Sequence, residues 1–165
     1  MPGDPAPPPE APPGIAGLSA VVLSEAFERV HYALVLASAA AALGQPALLF
    51  FTLGATRALA RTARPSTAPP GVTGDVSPGW RALAPSPGHE NALAQDQALA
   101  ARGVADFETL LEACVALGVR FVVCEAGLRA IALTPADLRD DLPFEVAGAV
   151  TWLTETPAGA ATLMV

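Results

Sequence analysis

A chain of 165 residues can form one domain with its own core, and a net charge of -7 leaves no basic face for nucleic acid or for an anionic membrane surface. Hydrophobic residues make up 52% of the chain and charged residues only 15%. Every basic residue is arginine, which excludes a lysine Schiff base.

The opening MPGDPAPPPEAPPG has neither the basic start nor the apolar run of a secretory signal. Its proline density predicts a disordered tail over residues 1–16, ahead of a single domain over 17–165. Gly17–Leu23 reads as the first strand. Ser24 is placed to cap a helix that runs to Leu43 and ends at Gly44, with Glu25 and Glu28 in its first turns. Ala47–Thr52 is a second strand without polar alternation, as in a parallel sheet covered on both faces. Residues 30–55 are apolar and long enough to span a bilayer, but Gly44-Gln45-Pro46 breaks them in the middle. A helix, a turn and a buried strand are expected there, and no membrane span.

Gly54 opens a short helix to about Ala60. Residues 62–88 are dense in Pro, Gly, Ser and Thr and show no periodicity, which predicts a long loop outside the core. In a parallel sheet all carboxyl ends open on one side, so this loop is expected over the edge that follows the strands. Residues 90–101 predict a short helix. Asp106 then caps a helix over 107–117 whose stripe is Phe107, Leu110, Leu111, Cys114 and Leu117. Gly118 ends it, and Val119–Cys124 is the next strand, with Ala126-Gly127 as the turn that leaves it. Thr134-Pro135-Ala136-Asp137 reads as a helix cap with proline in first position. A strand at Phe144–Ala147, a helix at Val150–Thr154 and a strand at Thr162–Val165 close the chain. Strands alternating with helices predict an α/β fold with a parallel sheet of about five strands between helical layers.

Cys124 is the residue on which chemistry can rest. A thiol at the carboxyl end of a strand lies where α/β folds place their ligands. Backbone N–H groups of a following turn would stabilise its thiolate, the species that attacks a sulfur donor. The adjacent carboxylate of Glu125 opposes that charge. A working thiol and a packed core residue remain two readings of Cys124. Cys114, on an apolar helical stripe, reads as core packing. The two cysteines form no CxxC pair and no zinc framework, and suggest a reduced, cytoplasmic protein without a disulfide. His31 and His89 have no partner at metal-ligand spacing, so no metal is expected; His89 is the better candidate to pair with Cys124 across the fold. Thr52–Thr56, between a strand and a helix, reads as a tight turn before it reads as an anion site.

Three ordered segments resemble the DsrE/F/H-like family, in its DsrE-like, peroxiredoxin-like sulfur-relay group. They are Ala39–Gly44 leading into Leu49–Thr52, then Leu117–Cys124, and finally Val146–Leu153. The resemblance covers about residues 18–165. It implies a small parallel α/β sheet, homo-oligomers such as trimers or hexamers, and a cytoplasmic role in sulfur trafficking with no metal or organic cofactor. It places the sulfane-sulfur-bearing cysteine at Cys124, as a persulfide that exchanges sulfur with donor and acceptor proteins. Where that group often has a polar, Met-rich stretch after its cysteine, this chain has Glu125-Ala126-Gly127-Leu128. The competing expectation is a non-catalytic oligomeric module on the same fold. There a small anion binds in the crevice between the second and third strands, and Cys124 only packs.

Overall fold

A computed structural model describes residues 14–61 and 79–165. Five strands form one parallel sheet: β1 (Leu18–Val22), β2 (Ala47–Phe51), β3 (Arg120–Cys124), β4 (Phe144–Ala147) and β5 (Ala161–Met164). Their spatial order is β4-β3-β2-β1-β5. The expected parallel α/β sheet flanked by helices is the one found. β1 and β2 are buried at every residue, which is why each reads as an unbroken apolar run. β4 and β5, at the two ends of the order, have no fully buried residue, and β5 alternates between half-buried and exposed.

The two faces of the sheet are covered unequally. Leu18, Ala20, Val22, Leu49, Phe51, Phe121 and Val123 point to the larger core. There they meet α1 (Phe27–Ala42), α2 (Ala92–Ala100), α3 (Phe107–Ala116) and α4 (Glu125–Ala130). Val21, Leu48, Phe50, Val122 and Cys124 point the other way, to a small cluster that includes Trp152 of α5 (Ala149–Glu155). Connectivity explains the asymmetry. From β1 to β4 the chain steps across the sheet in one direction, and right-handed crossovers then put every helix on one face. From β4 to β5 it reverses, so α5 alone crosses the opposite face. Trp152 anchors it by packing its ring at a tilt against Phe50, with centroids 6.1 Å apart, and by donating Nε1–H to the buried Ser19 Oγ at 2.8 Å.

Local signals account for most boundaries. Asp106 caps α3 by accepting the Thr109 N–H, and Asn91 caps α2 through Ala94 N–H. Thr134 and Asp137 close a reciprocal capping box around a single turn of 3-10 helix. Ser24 does not cap α1. The Ala84 N–H bonds Glu25 O and the Phe27 N–H bonds Ala84 O, which holds Ala26 extended and starts the helix at Phe27. The segment after β2 is a 3-10 helix over Leu53–Leu59, earlier and tighter than the short helix expected.

The loop assigned to residues 62–88 is corrected in its second half; residues 62–78 lie outside the described residues. Trp80 is buried, stacks on Phe107 at 5.1 Å and donates Nε1–H to Glu108 Oε1 at 2.7 Å. Leu83 joins the same core. One tryptophan among prolines gives no periodicity, so the sequence pattern does not announce a core element. Gly79, at φ +57°, lies so close to Ala60 that a Cβ would stand 2.7 Å from its carbonyl oxygen. Residues 79–83 pack against α1 and α3, on the face away from Cys124. Among the described residues no helix is long and apolar enough to cross a membrane.

Candidate functional site

β3 ends at Cys124, and α4 starts at the next residue without the turn expected at Ala126-Gly127. Cys124 is itself the N-cap: its backbone is extended, and its Sγ accepts the Gly127 N–H at 3.4 Å. Glu125 is turned along α4 onto Arg129 at 2.5 Å, so its carboxylate has a cation of its own. Gly127 is required by packing. A Cβ there would meet Leu53 N and Thr52 Oγ1, both at 2.6 Å. This contact closes the space between the ends of β2 and β3, where the anion crevice of the competing reading was expected.

The topology reverses one strand over, between β3 and β4. Adjacent parallel strands whose connections leave on opposite faces part at their carboxyl ends, and ligands bind there in α/β folds. β3 leads to α4 on the larger core, through Leu128, while β4 leads to α5 on the other face. Cys124 pairs in register with Ala147, the last residue of β4. Gly148 follows, exposed, with nothing within 4 Å of the position a Cβ would take. Leu23, Ala147 and Trp152 pack around the cluster that holds the thiol. Cys124 keeps 8% of its surface exposed, at the carboxyl edge of an interior strand. The sequence-derived address of this residue is therefore the observed one.

Comparison with known proteins adds the family. The profile of the DsrE/DsrF/DrsH-like family matches residues 17–164. The chain belongs to that family. Among solved structures, the crystal structure of the ychN protein from E. coli is similar at 14% identity and a TM-score of 0.46, covering 90% of this chain and 97% of that one. No curated protein matched.

In this DsrE-like chain the other sequence candidates scatter. Cys114 is fully buried on α3, where its Sγ contacts Leu34 O at 3.5 Å, and burial pushes its thiol up to about 12. Both cysteines are free. His31 is buried on α1, across the sheet from Cys124, with Nε2 2.9 Å from Ala105 O. His89 sits in the turn after Ser86, whose hydroxyl bonds Glu28 on α1. Neither imidazole has a contact with the thiol among those found, so the expected His89–Cys124 pairing is not formed. At Thr52–Thr56 the Gly54 position is covered by the Glu25 side chain, which puts a carboxylate where an anion would bind and leaves the plain turn. Among the described residues no group of three or more His, Cys, Asp or Glu could hold a metal. A cavity of about 200 Å³ lies between α3 and Arg139–Leu142. It opens on the helical face remote from Cys124, and its Arg139 is already held by Glu108 and Asp141. Sequence reasoning took Gly127 as part of a turn, and missed Gly148 and Trp152 as neighbours of the thiol. Only Gly148 left a readable mark, as a glycine closing the apolar run Val146-Ala147.

Proposed function

We propose that this chain is a cytoplasmic sulfur-relay protein in which Cys124 holds sulfane sulfur as a persulfide. The observation that carries the reading is the thiol's place at the carboxyl end of β3, with its Sγ accepting the Gly127 N–H and Ala147, its partner on β4, followed by the unobstructed Gly148. The Cys124 thiolate attacks the outer sulfur of a donor persulfide. A new S–S bond forms at Cys124 while the old one breaks, and the donor departs as a thiolate. An acceptor thiolate then takes the outer sulfur and returns Cys124 to its thiolate, so neither step needs a metal, an organic cofactor or an external oxidant. The donor and acceptor are partner proteins, and the chain works as a homo-oligomer such as a trimer or hexamer.

The test is intact-mass and peptide mass spectrometry after exposure to a sulfane-sulfur donor. Added sulfur is expected on Cys124, none on Cys114, and none in a Cys124→Ser variant. No added sulfur on the folded protein would overturn the relay. A second reading is favoured by the low exposure of Cys124 and its packing on Val122. In it the chain is a binding module, the crevice between β3 and β4 receives a small molecule, and Cys124 is core. Resistance of the native thiol to alkylation selects this reading; rapid labelling selects the relay.

A further inference from the structure

The thiol lies on the face of the sheet that α5 crosses. Val21, Leu48, Phe50, Val122 and Cys124 form the buried cluster there, and Leu23, Ala147 and Trp152 pack on it. Trp152 is the member of that set supplied by α5.

α5 is lightly built in. It has seven residues, too few for a helix to persist by itself in water, and none of them is buried. Its Val150 and Leu153 are 74% and 65% exposed. Glycines bracket it. Gly148 has nothing within 4 Å of the position a Cβ would take, and Gly159 holds φ +76°. Glycine tolerates the change of backbone angles that a hinge requires.

A polar latch fastens this helix. Trp152 Nε1–H donates to Ser19 Oγ at 2.8 Å, Ser19 Oγ lies 2.9 Å from Thr156 Oγ1, and Thr156 Oγ1 donates to Trp152 O at 2.8 Å. The Thr156 proton is used on that carbonyl, so the Ser19 hydroxyl gives its own proton to Thr156. Each hydroxyl thus donates once and accepts once. Ser19 is fully buried in the otherwise apolar strand β1. For a permanent seal an alanine there would pack without needing partners. Serine suits a detachable one: when α5 lifts, each latch group exchanges its partner for water, and the net loss is small. The other fastening, Arg120 to Glu155 and Glu145, is exposed and holds weakly.

We propose that α5 is a lid over the thiol's face of the sheet, hinged at Gly148 and near Gly159 and latched by Trp152 and Thr156 on Ser19. Closed, it leaves Cys124 8% exposed. Lifted, it withdraws Trp152 from the cluster and opens the sulfur to solvent. The lid governs access to the thiol and is independent of what the thiol carries.

The two free cysteines supply the test. Cys114 is fully buried in the other core and reports unfolding of the whole domain, whereas Cys124 reports the lid. Alkylation of the full chain is followed at each cysteine by peptide mass spectrometry over a series of low urea concentrations, for the parent, Ser19→Ala and Trp152→Phe. Ser19→Ala removes the latch from the sheet, and Trp152→Phe keeps a ring against Phe50 without the indole donor. In the parent, Cys124 is expected to label faster than Cys114 and with a shallower rise in urea, because lifting one helix exposes far less surface than unfolding the domain. Each variant is expected to raise the Cys124 rate about fivefold, as for the loss of one hydrogen bond of ordinary net strength. Circular dichroism identifies variants that fold, and either one suffices. A Cys124 rate unchanged in a folded variant overturns the proposal, because the thiol is then reached without moving α5. So does a parent Cys124 rate that matches that of Cys114 and climbs as steeply with urea, which would make global unfolding the route. Sulfur transfer is not read in this experiment, so failure of the relay reading and failure of the lid are told apart.

Discussion

Replacing Gly127 by alanine tests how tightly the thiol's surroundings are built. The new Cβ would stand 2.6 Å from Leu53 N and Thr52 Oγ1 and 3.0 Å from Thr52 Cα. Two of those atoms are backbone, and Leu53 is already held at φ +49°, so the chain there has little freedom to withdraw. Overpacking of this kind costs about 1–3 kcal/mol. Alanine in place of a helical glycine contributes about 1 kcal/mol in the opposite direction. The balance is a net loss of about 1 kcal/mol, or about 2–4 °C in midpoint for a domain of this size. The same displacement carries the Gly127 N–H away from Sγ and so removes a donor that favours the thiolate, and the alkylation rate of Cys124 should fall along with the loss of stability. Thermal unfolding and a thiol-labelling time course measure the two effects. The sign is decisive: a Gly127→Ala variant stabilised by about 1 kcal/mol, as helix propensity alone dictates, would refute the close contact between α4 and the start of the 3-10 helix.

Asp96 offers a pH test. Burial raises its pKa above the ordinary 3.8, with Asp106 and Glu108 adding to the rise, while the Phe107 N–H and His31 pull it down. The folded state thus holds this proton more tightly than the unfolded one, and stability is lost as pH rises from 3.8 through the raised value. Asp96→Asn keeps an oxygen for the Phe107 N–H without the charge, so it should match or exceed the parent at pH 7 and lose that advantage at pH 3; urea midpoints at the two pH values check this, and a less stable variant at pH 7 would count against it. Trp80→Ala should cost about 3–5 kcal/mol, the usual loss for a buried aromatic, whereas Trp80→Phe should cost about 1 kcal/mol by removing the hydrogen bond to Glu108. Denaturant unfolding of both separates ring packing from the polar contact, and a loss under 1 kcal/mol for Trp80→Ala would remove residues 79–83 from the core.

Most of the architecture could be read from local pattern. The runs at Leu18–Val22, Ala47–Phe51 and Arg120–Cys124 carry no alternation because both their faces are covered, and that signal is strong even over five residues. Asp106 announced α3, and Gly44, at φ +75°, marked the end of α1. The misreadings share a different origin. Ser24 is chemically a good cap, but the bridge between Ala26 and Ala84 engages the backbone at the helix start. Trp80 is surrounded in sequence by turn residues, and its burial against Phe27 and Phe107 is purely tertiary. In each case a contact between segments distant in sequence outweighed a local preference.

The candidate site divides along the same line. That Cys124 ends a strand follows from residues 119–124 alone. Where the sheet's topology reverses relative to Cys124 does not, because that depends on where the neighbouring connections go. Nothing local to Glu125–Ala130 or Ala149–Glu155 says that one helix packs on the face of α1 and the other on the opposite face. The deciding event is the return from β4 past β3, β2 and β1 to place β5 at the far end of the sheet. That reversal turns α5 to the sparsely covered face and sends the connections that leave β3 and β4 to opposite sides of the sheet beside Cys124. It also delivers a strand with no charge and no proline to an edge where β1 is its one ladder neighbour among the described residues. The divergence of the connections beside Cys124 and the position of β5 at the end of the sheet are therefore two consequences of one topological step.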